Sequence, residues 1–168
     1  MFKRALRFVM VLYCTISLVS CSKKSIEEEV KSYDQVAENK ISYNYTEVEL
    51  EILERINAYR TKLGLGKLNV LHEVSVEAEN HTEYMISKGE VSHDNFPVRY
   101  GNLVNKVGAR EVSENVAFGY HTADAVVKAW TKSEGHRLNI EGEHTHFGIS
   151  VKEDSEGKNY YTNIFITR

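Results

Sequence analysis

Four residues of this 168-residue chain have the types and spacing to form a polar site: His93 in VSHDNF, Glu114 in SENVAFGY, and Ser133 and His136 in WTKSEGHRLNI. Two imidazoles and a carboxylate set tens of residues apart meet only through folding, and such a trio suits a divalent metal or a proton-transfer centre. Neutral His93 and His136 would ligate an ion such as zinc, with Glu114 binding it directly or orienting a histidine or a water. So few ligands make an open, exchangeable and weak site, unlike a closed structural zinc. The same side chains would also serve as a hydrogen-bonded network holding the loops around a cleft. A hydrolase reading gives the ion to His93 and His136 and the role of general base to Glu114. Against it, the chain has no HExxH and no G-x-S-x-G, and its only cysteines are Cys14 and Cys21. A serine route would need Ser133 beside His136, with Glu114 as the orienting acid. No residue is firmly catalytic, and a non-enzymatic cleft that takes a small ligand, lipid or peptide is a further reading of the same residues. A structural or adhesive role stays open beside it.

The elements that must position these residues follow from the apolar pattern. Thr46 and Glu49 form a capping box, and Val48, Ile52, Ile56, Tyr59 and Leu63 make one stripe before Gly64 ends the helix. A second helix is expected from about Val70 to Lys88, with Leu71, Val74, Ala78, His81 and Met85 inward and Gly89 as its stop. His81 is thereby expected as a hydrogen-bonded core residue and not as a ligand. The segment around His93 reads as a loop through Asn95, Pro97 and Gly101. A strand is expected over Glu114 to Tyr120, and a helix capped by Thr122 runs through Val126 to Trp130. Gly135 then frees the backbone to turn sharply and aim His136 inward. FGISVKE and NYYTNIFIT read as strands joined by a hairpin at Asp154 to Lys158. An H-x-H pair, His144 and His146, would share one face if both lay in a strand. His72 and His121 suggest only exposed or capping positions.

The chain begins with a leader, residues 1–20: Lys3, Arg4 and Arg7, an apolar run from Phe8 to Val19, and small residues before Cys21. Leu18-Val19-Ser20-Cys21 resembles a bacterial lipobox, which implies cleavage before Cys21, lipid on its thiol, and a membrane as partner. Residues 21–44 follow as a polar tether, and residues 45–168 as the folded domain. Removing the leader leaves no cysteine to pair, so an exported domain is held by its core alone. The leader takes three of the 21 Lys and Arg, leaving 18 against 24 Asp and Glu, a net charge of −6. That balance gives no support to a nucleic-acid partner. The expected location is the cell envelope, on a membrane and facing outward or into the periplasm.

One series of residues carries a resemblance. Ala78, His81 and Met85, Ser92-His93, Arg99, Glu114-Asn115-Val116-Ala117 with Gly119, Trp130, Ser133, Gly135-His136-Arg137, Asn139-Ile140 and Phe147-Gly148-Ile149 together resemble the bacterial branch of the CAP superfamily. Cysteine-rich secretory, antigen 5 and pathogenesis-related proteins belong to the same superfamily. The resemblance spans about Tyr45 to Phe165. It implies an α+β fold, an α-β-α sandwich with a central antiparallel sheet flanked by helices, and a cleft lined by two histidines and two acids. His93, Glu114 and His136 match three of those four. Ser133 stands where eukaryotic members carry the second acid. Glu134 stands where many bacterial relatives carry proline.

Overall fold

The computed structural model of the protein describes residues 42–168. The expected leader, the lipidation residue Cys21 and all but the last three residues of the tether lie outside the described residues.

Helix α1, Glu47–Lys62, starts with the expected capping box: Thr46 N donates to Glu49 Oε2 at 2.8 Å, and Glu49 N donates back to Thr46 Oγ1 at 3.4 Å. The Glu49 carboxylate is buried because it has further partners, the Tyr43 hydroxyl at 2.9 Å and the Val151 amide at 2.8 Å. A helix start thus becomes a tie to the sheet. The chain continues through β1 (Asn69–Val70), α2 (His72–Lys88), α3 (Phe96–Val107) and β2 (Glu111–Phe118). Then come α4 (Ala123–Lys132), α5 (Glu134–Glu141), β3 (His146–Glu153) and β4 (Asn159–Thr167).

The four strands lie in the order β1-β3-β4-β2, so β4 is interior and β2 is an edge. Because strand side chains alternate between faces, β4 serves two cores. Tyr161 and Phe165 pack with Ile52, Ile56, Trp130, Ile140 and Phe147 beneath α1, α4 and α5. Ile164 and Ile166 pack on the opposite face with Val74, Ala78 and Leu103 of α2 and α3. Helix α2 comes unusually close to β3 at Gly148, where a Cβ would fall on the backbone of Val74 and Ser75. Only glycine fits such an approach.

The expected α+β sandwich is what forms, with three corrections. The sheet is mixed and not purely antiparallel, because the connection after α1 runs parallel to β3 and pairs Asn69 with His146 and Val70 with Phe147. The segment expected as a loop beyond His93 is helix α3. Asn95, in the left-handed region at φ 58°, turns the chain into it, and Pro97 sits in the first turn, where its missing N–H costs no bond. The turn before His136 is made by Ser133, whose extended backbone (φ −89°, ψ 122°) separates α4 from α5, while Gly135 is helical. His136 therefore lies in the first turn of a helix and not on a loop.

Candidate functional site

Residues Glu114 and Asn115 are neighbours on the edge strand β2, so their side chains leave on opposite faces of the sheet. Glu114 faces the α2 and α3 layer, and Asn115 the α4 and α5 layer. This splits the expected site into two linked halves.

In the first half, Arg99 grips the Glu114 carboxylate with both arms of its fork, Nε to Oε2 at 2.8 Å and Nη2 to Oε1 at 2.7 Å. His93 Nδ1 lies 2.8 Å from the same Oε1 and donates to it. Nη1 of Arg99 also donates to Asp94 O at 2.6 Å, which fixes the loop that carries His93. Burial alone would raise the Glu114 carboxyl, but the hydrogen bonds from His93 and Arg99 outweigh it and hold the group below the usual carboxylate range. His81 is buried as expected and donates from Nε2 to Ser92 O at 2.8 Å. Its Nε2 is 3.7 Å from Glu114 Oε1, but burial lowers the imidazole and keeps it neutral, so the two do not form an ion pair.

In the second half, His136 Nδ1 meets Ser133 Oγ at 2.9 Å. Burial, and then the neighbouring His93, push the His136 imidazole below its ordinary value. Two asparagines join the halves. Asn139 Nδ2 donates to Glu114 O at 3.1 Å and to Asn115 Oδ1 at 2.9 Å, while Asn115 Nδ2 donates to His136 O at 3.0 Å. Trp130 Nε1 donates to Val116 O at 3.2 Å along the same edge. A hollow of about 300 Å³ lies beside His93, with Phe96 and Val112 in its wall. Another, of about 260 Å³, lies beside His136 against Phe118, Tyr120 and Trp130.

All four expected residues thus border one stretch of β2, but as the pairs His93–Glu114 and Ser133–His136. Arg99 is the main group that reasoning from residue types had given no role. Its signal is a lone arginine in the stripe Phe96, Arg99 and Leu103, inside a segment whose Asn, Pro and Gly read as a loop. Asn115 and Asn139 were likewise without a role. His144 stacks on Phe165, with ring centroids 5.7 Å apart, and its Nε2 meets Ser113 Oγ at 3.0 Å. It precedes β3, so the H-x-H pair is not a strand pair. His72 is more than an exposed residue, since its Nδ1 accepts the Tyr43 amide at 2.9 Å.

The donor set does not fit a zinc centre. Among the described residues, no three His, Cys, Asp or Glu side chains are placed to hold a metal. Both Glu114 oxygens are already committed, and two imidazoles alone fall short of the three protein ligands of an open zinc site.

Residues 53–166 match the model of the CAP, cysteine-rich secretory protein family. The chain belongs to this family. This CAP-family chain is 32% identical over 139 residues to the uncharacterized membrane protein YlbC of Bacillus subtilis, covering 79% of this chain and 38% of YlbC. The chain therefore spans well under half of that relative. An outer surface protein of Borrelia burgdorferi has the same fold, with a TM-score of 0.66 at 19% identity, covering 74% of this chain and 96% of that protein. An SCP-domain extracellular protein of Bacillus anthracis superposes with a TM-score of 0.64 at 25% identity, over 76% of this chain and 45% of that one.

Proposed function

We propose that this CAP domain is an exported binding module, held at a membrane through lipid on Cys21, whose His93 and His136 face takes a small ligand without transforming it. One observation carries the reading: each imidazole is pinned through Nδ1, to Glu114 or to Ser133, and presents Nε2 as its remaining edge. His93 is half exposed, and His136 is held neutral, so its lone pair or N–H can meet a ligand. Apolar walls flank the two rings. A ligand with a polar centre and apolar ends, such as a peptide segment or an amphipathic small molecule, suits that arrangement. Glu114 is poorly placed as a general base, since it is buried, doubly bonded to Arg99 and held ionised. The envelope location is supported by the leader and by two relatives, one a membrane protein and one an extracellular protein. Zinc, for which the two imidazoles are too few ligands, is the alternative that the test must exclude.

The test is native mass spectrometry of the full chain, purified from membranes in a non-denaturing detergent, with and without added zinc. A co-purifying small molecule should be present in the wild type and absent from His93→Ala and His136→Ala, each shown by its melting to be folded. Adduct-free spectra for all three proteins would overturn the ligand reading, and an adduct seen only with zinc would select the metal. Cys21→Ser should lose lipid labelling and membrane retention; retention unchanged would remove the anchor.

A further inference from the structure

Between α2 and α3 lies a third hollow, of about 240 Å³, that shares no lining residue with the two along β2. Its wall mixes apolar surface from Tyr84 and Val98 with polar side chains, and the charged ones are paired. Glu77 is 2% exposed, and Lys106 neutralises it at 2.5 Å, while Asn102 Nδ2 donates to it at 3.2 Å. Arg99, which also lines the hollow, is neutralised by Glu114. Asn80, Asn95 and Asn102 present amides that both donate and accept. His81, 2% exposed, also lines it. Because its Nε2–H goes to Ser92 O, its Nδ1 is left as an acceptor, and among the described residues that atom is buried with no partner. A buried acceptor left unpaired is unfavourable until a donor reaches it.

We infer that this hollow is a binding site for one neutral sugar ring, free or at the end of a glycan. Hydroxyl groups both donate and accept, which matches three amides, and a hydroxyl that displaced the cover of His81 Nδ1 would supply the donor it lacks. An anion or a cation would find no uncompensated opposite charge, since each charged group in the wall is already paired. A metal across Glu77 and His81 would have to displace Lys106. The volume holds about eight waters at about 30 Å³ each, enough for one pyranose with its hydroxyls and too little for a drug-sized ligand. Burial lowers the His81 imidazole, so Nδ1 keeps its lone pair near neutral pH. The site does not involve His136, and it meets the β2 site only through Arg99, which grips Glu114.

Saturation-transfer NMR on the full chain in a sugar-free detergent tests this, using glucose, N-acetylglucosamine and its β-1,4-linked disaccharide, with glucosamine and glucuronate as charged counterparts. Neutral sugars should receive saturation with millimolar affinity. Asn80→Leu and Asn102→Leu, which leave the Glu77–Lys106 pair intact, should each weaken binding about tenfold, while His136→Ala should leave it unchanged. A histidine ¹⁵N spectrum should show the His81 Nδ1 signal moving on addition of sugar. No transfer to any neutral sugar would overturn the inference and leave water as the occupant. So would equal binding by wild type and both folded asparagine variants, or tighter binding of a charged sugar.

Discussion

Replacing Arg99 with methionine keeps most of the side-chain stem and removes the charge that Glu114 depends on. The Glu114 side chain is 1% exposed, so the bare carboxylate cannot recover its hydration without opening the edge of the sheet. Breaking a buried pair from one side costs about 3–5 kcal/mol. For a domain of this size that is a fall in melting temperature of roughly 10–20 °C. The pH dependence carries a sign. In the wild type the folded carboxyl sits below its unfolded value, so its contribution is complete above the ordinary carboxylate range and is lost as pH falls through the depressed folded value. Without Arg99, burial is opposed chiefly by the His93 hydrogen bond and the carboxyl rises, so ionised Glu114 is less favourable to folding at neutral pH and that loss fades on acidification. Urea unfolding near about pH 7 and about pH 4.5 reads both effects. The gap between Arg99→Met and wild type should narrow at the lower pH, and a second change, Glu114→Leu, should restore stability at neutral pH. A loss below about 1 kcal/mol, a gap independent of pH, or a double variant no better than the single would refute the reasoning.

Three other outcomes are expected. Gly148→Ala should lose about 3 kcal/mol in urea unfolding, because the new methyl meets the backbone of Val74 and Ser75 and not a movable side chain; a loss within experimental scatter would contradict this. Asn95→Gly should melt at or slightly above the wild type, while Asn95→Val should lose about 1–2 kcal/mol and disorder the turn in which Phe96 N donates to His93 O; equal melting of the two would remove the left-handed constraint. Binding of the ligand at His136 should stay flat from about pH 8 to about pH 6.5 and weaken only below that, because burial and His93 keep this imidazole neutral past its ordinary value. Calorimetric titration across that range checks it, and a midpoint above about pH 7 would contradict the assignment.

The outer elements were legible because their signals are local. Thr46 with Glu49, Thr122 before α4 and Gly89 after α2 act over a single turn, and each does in the fold what its type suggests. Helix α3 was hidden because Asn95, Pro97 and Gly101 each read as a loop residue. In the fold they are a left-handed cap, a first-turn proline and a tolerated interior glycine. At the site, His93, Glu114, Ser133 and His136 could be named from their chemistry, but their pairing could not. Whether Glu114 faces His93 or His136 depends on the register of β2 against β4, where Glu114 pairs with Ile164 and Asn115 with Asn163, and no motif encodes that parity. Missing α3 also concealed Arg99, whose place facing Glu114 exists only once that helix is formed.

The side chains that reach β2 from α4 and α5 have a consequence for crowding. An open strand edge is a template for another chain, and a protein anchored to a surface would meet its own copies at high local density. Here the Glu114 and Val116 carbonyls, which would receive such a strand, are occupied by Asn139 and Trp130. At the opposite margin, β1 is two residues long and offers little to pair with. The groups that hold the site together therefore also occupy two acceptors of this edge, so a change at Asn139 should open one of them to another chain as well as disturb the cleft.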